Sequence, residues 1–75
     1  MIRIFINKGI FMNYAKAVKQ LRERIIMTQS EFAKLLGVSA ITVSRWESGV
    51  FEPTIKVKRK LSQLFMDYNI EVEQK

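Results

Sequence analysis

The side chains that could do chemistry are few, and the missing ones narrow the field first. The 75-residue chain contains neither cysteine nor histidine. That excludes a thiol nucleophile, imidazole acid–base work, a zinc finger and a disulfide scaffold. The seven acids are scattered rather than clustered, so neither carboxylate catalysis nor a carboxylate metal site is expected; the chain does not read as an enzyme, and no cofactor is implied. What remains is basic. Thirteen Lys and Arg against seven Asp and Glu leave a net charge of +6, with Lys56, Lys58, Arg59 and Lys60 crowded together and a net-negative stretch from Asp67 onward. Such a balance suits a polyanion: nucleic acid or an acidic membrane face. No apolar run approaches membrane-spanning length, and the opening MIRIFINKGIF lacks the apolar stretch and cleavage site of a secretion signal. A cytoplasmic protein with no membrane partner is therefore expected.

The elements that position these charges read as helices. Tyr14, Val18, Leu21 and Ile25 recur at i, i+4, i+7 and i+11, one face of a helix. Thr28-Gln-Ser-Glu31 is a capping box, with Met27 and Phe32 spaced as a hydrophobic staple around it. A second helix then runs from Gln29 to Leu36, and Gly37 supplies a left-handed residue beyond its end. Ser39 caps a third helix, from about Ala40 to Ser48, which Gly49 stops. Pro53 pushes Glu52 into an extended conformation and Thr54 can cap a fourth helix, with Ile55, Leu61, Leu64, Phe65 and Tyr68 as its apolar side. The class is all-α: a bundle of four to five helices. The chain divides into an N-terminal arm (1–12), a helical domain (13–66) and an acidic tail (67–75).

Residues 29–48 are two helices joined by a three-residue corner, the helix-turn-helix arrangement in which the second helix enters the major groove of DNA. Each position meets the physical demand on it. Ala33 is small where two helices cross, Gly37 tolerates positive φ, and Phe32, Leu36, Val38, Val43 and Trp46 are apolar beneath the corner. A hairpin built only for packing would need fewer of these features, and no basic surface.

The run LRERIIMTQSEFAKLLGVSAITVSRWESGVFEP resembles the lambda-repressor-like (Xre/Cro) helix-turn-helix family. The hallmarks are Leu21-Arg22, Thr28-Gln29-Ser30-Glu31-Phe32-Ala33, Leu36-Gly37-Val38-Ser39, Ser44-Arg45-Trp46-Glu47-Ser48-Gly49 and Pro53. The resemblance spans roughly residues 14–66 and implies a small helical bundle that binds operator DNA, often as a dimer. It also implies an ion pair between Arg22 and Glu47, and backbone contacts from Ser48 and a basic residue near Lys56. Two positions depart from the pattern. Ile26 stands where glycine is common, and left-handed backbone there would cost a β-branched residue about 1–2 kcal/mol, so the corner is expected to be built another way. Lys58 stands where an apolar residue is common, its stem covering the core.

With Val43 and Trp46 facing inward, the third helix presents Ser39, Ala40, Ile41, Thr42, Ser44 and Arg45 outward. Base edges fall to Ala40, Ile41, Ser44 and Arg45: the apolar pair can meet thymine methyls, and Arg45 can bond guanine O6 and N7. Phosphates fall to Thr28, Gln29, Ser39, Thr42, Ser48 and Lys56, helped by the free N–H groups at helix N-termini. The resulting expectation is a transcriptional regulator of bacterial or phage type, a repressor by promoter occupancy, whose partner is double-stranded DNA. The alternative is an antitoxin that caps a partner toxin and autoregulates its operon. A homodimer is expected because one recognition helix reads few bases, and Leu35, Leu64, Phe65 and Tyr68 exceed the needs of a four-helix core. At the ends, Ile2, Ile4 and Ile6, and Ile70 and Val72, alternate with other residues as in short strands that could pair into a ribbon, Arg3 facing Glu71 or Glu73. A rival reading places residues 1–11 upstream of a start at Met12, because Lys8-Gly9 can be encoded by a ribosome-binding sequence.

Overall fold

Asn13 begins the order: its side chain accepts a hydrogen bond from the Lys16 amide at 3.3 Å and starts the first helix. The computed structural model describes residues 13–72. Four helices follow one another: α1 (Tyr14–Arg24), α2 (Gln29–Leu36), α3 (Ala40–Glu47) and α4 (Ile55–Asp67). Among the described residues there is no strand, and the fold is all-α. The capping box of α2 is complete, Glu31 N–H donating to the Thr28 hydroxyl at 3.1 Å and Thr28 N–H to the Glu31 carboxylate at 2.9 Å. The Ser39 hydroxyl accepts from the Thr42 amide at 3.3 Å and starts α3. Thr54 has the extended backbone of a cap, but its hydroxyl makes no capping bond.

The core is assembled from one stripe of each helix. Val18, Leu21, Phe32, Val43 and Leu61 are its largest fully buried side chains, each contributing about 1.5–3 kcal/mol by leaving water. α3 packs across α2 and α1, and α4 lies against α1. Ala33 is buried beside the α2–α3 corner, where its small side chain lets the helices approach. The apolar side of α4 differs from the periodic reading. Val57, Leu61 and Phe65, four residues apart, are buried, whereas Ile55 is exposed, because two residues' offset turns it to the opposite side of the helix. Phe65 is committed to this core, against the Tyr14 ring with centroids 6.4 Å apart, so it is not available to a partner subunit. Lys58 lays its ammonium 4.9 Å from the centroid of the same tyrosine and bonds Glu52 at 3.1 Å.

All four helices end in the same way. The residue two past the last turn bonds the carbonyl five back, and the one before it bonds the carbonyl three back: Met27 to Arg22 and Ile26 to Glu23, Val38 to Ala33 and Gly37 to Lys34, Val50 to Arg45 and Gly49 to Trp46, Ile70 to Phe65 and Asn69 to Met66. This is the Schellman closure, and it requires one left-handed residue. Those residues are Gly37 at φ 74°, Gly49 at φ 80°, Asn69 at φ 57° and Ile26 at φ 57°. The Ile26 corner was expected to avoid positive φ. It does not; a β-branched residue sits in the strained conformation because the closure satisfies the free carbonyls of α1.

The closure also corrects the reading of the C-terminal end. Ile70 is the apolar residue that seals α4, buried against the core, and residues 70–72 form no strand. Ile70 thus belongs to the core, and Val72 packs against it, partly buried. Arg3, Glu73 and the N-terminal arm lie outside the described residues. The end of α4 is tied down further by Arg24, whose guanidinium donates to the Tyr68 carbonyl at 2.7 Å.

Because Ile26 is 87% exposed, glycine there removes little packing while relieving about 1–2 kcal/mol of strain, against about 0.4–1 kcal/mol of added freedom in the unfolded chain. Ile26→Gly is expected to raise the melting temperature by up to about 4–8 °C in a thermal scan. An unchanged or lower value would show that the strain at the left-handed isoleucine does not exceed the freedom glycine adds to the unfolded chain.

Candidate nucleic-acid interface

The helix-turn-helix is locked from behind by a guanidinium. Arg22, one residue after the buried Leu21, reaches Glu47 at the last turn of α3 through Nε at 2.6 Å and Nη2 at 3.0 Å. Its remaining nitrogen, Nη1, donates to the Met27 carbonyl in the α1–α2 corner at 3.0 Å. Gln29, in the first turn of α2, adds a bond from its amide nitrogen to Glu47 Oε1 at 3.1 Å. One carboxylate therefore joins α1, α2 and α3. Burial works to raise the pKa of Glu47, but the hydrogen bonds from Arg22 and Gln29 and the charges of Arg22 and Lys19 outweigh it, so the carboxyl titrates below its ordinary value. The Glu47 hydrogen bond raises the already high pKa of Arg22, against a smaller effect of burial.

This frame turns the outer face of α3 to solvent. Ile41 and Arg45 are exposed, and Ala40, Thr42 and Ser44 are half-buried along the same helix. No acidic residue occupies the first turn of α3, so nothing there neutralises the positive end of the helix. The Ser39 and Thr42 hydroxyls lie 2.8 Å apart; one proton is shared between them and the other is left to donate outward.

Of the remaining polar positions, Thr28, Gln29 and Ser48 are also used locally. The Thr28 hydroxyl is held by the capping box. Gln29 is half-buried on Glu47, with its carbonyl oxygen and second N–H left over. The Ser48 hydroxyl donates to the Arg45 carbonyl at 3.2 Å. Lys56 is exposed in the first turn of α4.

Two features escaped the sequence reading. Lys60 reaches back to the Leu36 carbonyl at 3.5 Å, placing one member of the basic run at the end of α2. Phe51 lies beside Arg45, whose Cζ is 5.6 Å from the ring centroid. A cleft of about 340 Å³ opens beneath this pair, lined by Val38, Thr42, Trp46 and Val57 among others. The spacing Arg45-x3-Gly49-x-Phe51 was the available signal, since a left-handed glycine folds the next residues back over the helix end. Among the described residues no helix is long and apolar enough to cross a membrane, and no cluster of acids could hold a metal ion.

Comparison with known proteins agrees with this architecture. Residues 18–65 match the family model described as helix-turn-helix, and the chain belongs to that lambda-repressor-like family of DNA-binding proteins. Over 45 residues it is 49% identical to the type II methyltransferase M.SsoII of Shigella sonnei, covering 56% of this chain but 12% of that protein. Over 48 residues it is 35% identical to an uncharacterized HTH-type transcriptional regulator of Archaeoglobus fulgidus, covering 64% of this chain and 68% of the relative. No solved structure gives a significant match.

Glu47→Gln is expected to lower stability at neutral pH by an amount towards the lower end of about 3–5 kcal/mol, since the partner charge is left partly buried without its counterpart. A lowered folded-state pKa stabilises the protein fully above the ordinary value of 4.5, and that stabilisation is lost as pH falls through the lower folded-state value. Melting curves of the two proteins should therefore begin to converge as pH falls below 4.5 and meet below the lowered folded-state value. An equal gap at acid and neutral pH would show that the charge of Glu47 is not the cause.

Proposed function

We propose that this protein is a non-enzymatic, sequence-specific transcriptional regulator of the cytoplasm that docks α3 in the major groove of double-stranded DNA and represses by occupying a promoter. The observation that carries the reading is the outward face of α3, held by the Arg22–Glu47 pair with Arg45 exposed upon it. In this reading Ala40, Ile41, Ser44 and Arg45 face base edges. Thr28, Gln29, Ser39, Thr42 and Lys56 flank them as phosphate contacts, donating with whatever their local bonds leave free, and Ser48 joins them by releasing the proton it gives the Arg45 carbonyl. The shared stretch with the methyltransferase is confined to 45 residues, so the DNA-binding element is what the likeness supports, and the transferase reaction is not carried over.

The active form in this reading is a homodimer, which doubles the bases read. With Phe65 in the core, the surface left for a partner subunit includes Leu35 and Tyr68, 50% and 41% exposed. The antitoxin reading keeps one supporting feature. A shallow apolar groove formed by Ile25, Ile26, Met27 and Leu35, edged by Glu31 and Lys34, could seat another protein. A toxin gene adjoining this one would favour that reading.

Binding to duplex DNA should weaken steeply with salt. With about six phosphates neutralised per dimer, the log–log slope is expected near −5. Arg45→Ala should cost roughly 1–3 kcal/mol on a sequence selected from random DNA and less on unselected DNA. Equal losses on both would make Arg45 a phosphate contact instead. Sedimentation should show a dimer on DNA; a monomer at high concentration, free and bound, would refute the two-fold arrangement.

A further inference from the structure

We infer that Phe51 is a specificity-determining positioning residue: its ring holds the Arg45 guanidinium by the face and leaves the hydrogen-bonding edge to read a base. The inference rests on the reading of Arg45 as a base reader and deepens it.

The placement of Phe51 is specified by backbone. After α3 ends at Glu47, Gly49 turns the chain at φ 80°. The amides of Val50 and Phe51 both donate to the Arg45 carbonyl, at 3.0 and 3.4 Å. The residue that carries the ring is thus anchored to the residue that carries the guanidinium, and two residues later Pro53 is buried. Phe51 itself remains 55% exposed. Core packing does not account for an aromatic left half in water, whereas a cover for Arg45 does.

The chemistry of the contact distinguishes it from an ion pair. A guanidinium has five N–H donors around its edge and a flat face. A carboxylate partner would occupy the edge, as Glu47 does for Arg22. An aromatic ring within about 6 Å of the charge attracts the face and consumes no donor. Among the described residues no oxygen accepts from the Arg45 side chain. The nearby acid, Glu52, shares the cleft wall with Arg45 but is bonded to Lys58 at 3.1 Å. Arg45 therefore retains a full fork, restricted in orientation before DNA arrives. That restriction favours the bidentate geometry which selects guanine over other bases.

The experiment measures binding of the full chain to a duplex selected from random DNA, and to single-base variants of it, for wild type, Arg45→Ala, Phe51→Ala, Phe51→Leu, Phe51→Tyr and the double alanine variant. Phe51→Ala is expected to lose about two- to fivefold of the preference at the base pair whose preference Arg45→Ala abolishes. Phe51→Leu, apolar but without a ring face, should lose as much, and Phe51→Tyr should retain the preference. In the Arg45→Ala background Phe51→Ala should change nothing further at that pair. Without DNA, the Arg45 Hε proton resonance should carry a ring-current shift in wild type and Phe51→Tyr that vanishes in the leucine and alanine variants. Equal weakening on every sequence, additive losses with Arg45→Ala, or retained preference in Phe51→Leu would overturn the inference. Absence of the ring-current shift would refute the stacking itself. A ring-current shift together with an Arg45→Ala variant of unchanged base preference would refute the base-reading role on which the inference rests.

Discussion

A single carboxylate, Glu47, fixes how the helices that matter are set against one another. It accepts from Arg22 on α1 and from Gln29 on α2 while standing at the end of α3. The hydrophobic core presses these helices together, but apolar contacts are non-directional and tolerate small rotations. Hydrogen bonds of 2.6 and 3.0 Å from a planar guanidinium do not. Partly buried ion pairs contribute little net stability, because desolvation offsets attraction. What this one contributes is angle: it fixes the end of α3 against α1 and α2, and Arg22 extends the same hold to the α1–α2 corner through the Met27 carbonyl.

Much of the fold was legible because the chain marks its helix starts with specific side chains. Thr28 and Glu31 announce α2 by a reciprocal bond that depends only on local spacing, and Ser39 does so for α3. The helix ends were half legible. Gly37 and Gly49 reveal their left-handed turns because only glycine adopts them freely. Ile26 adopts the same turn while its residue type argues against it; the closure is imposed by the free carbonyls of α1, which no residue type records. Ile70 misled in the opposite direction. Its alternation with Glu71 looks like a strand, yet its role is to seal the end of α4. The phase of α4 slipped at Ile55, since the first apolar residue after a cap need not belong to the buried stripe. Contacts such as Arg24 to the Tyr68 carbonyl join residues 44 apart and leave no periodic trace.

The candidate interface was legible in its residues more than in their working state. The outer face of α3 follows from the burial of Val43 and Trp46. What could not be read is how many of the small polar side chains are already engaged. Thr28, Ser39 and Ser48 all serve a helix end through their hydroxyls, and Gln29 serves Glu47. In the proposed complex Thr28, Ser39 and Gln29 would offer DNA only their remaining donors, in directions set by the protein, whereas Ser48 has already given its proton to the Arg45 carbonyl. Arg45 contrasts with them: its Cζ lies 5.6 Å from the Phe51 ring centroid, and among the described residues no oxygen accepts from its guanidinium. Phe51 belongs to a loop, where neither helical nor strand periodicity applies, so its relation to Arg45 emerges only from the turn at Gly49.

The lone tryptophan occupies a telling place. Trp46 is 3% exposed, next to Arg45 in the chain and inside the cleft that Phe51 roofs. The protein therefore carries a built-in fluorophore within the helix that would meet DNA. Its emission arises from one shielded indole, with no second tryptophan to dilute the signal, and two tyrosines as the other emitters of note. Loss of the core exposes that indole to water, whereas a ligand settling on α3 alters its surroundings with the core intact. Spectral position and quenching by an added solute can thus separate unfolding from engagement in the unlabelled, unmodified molecule.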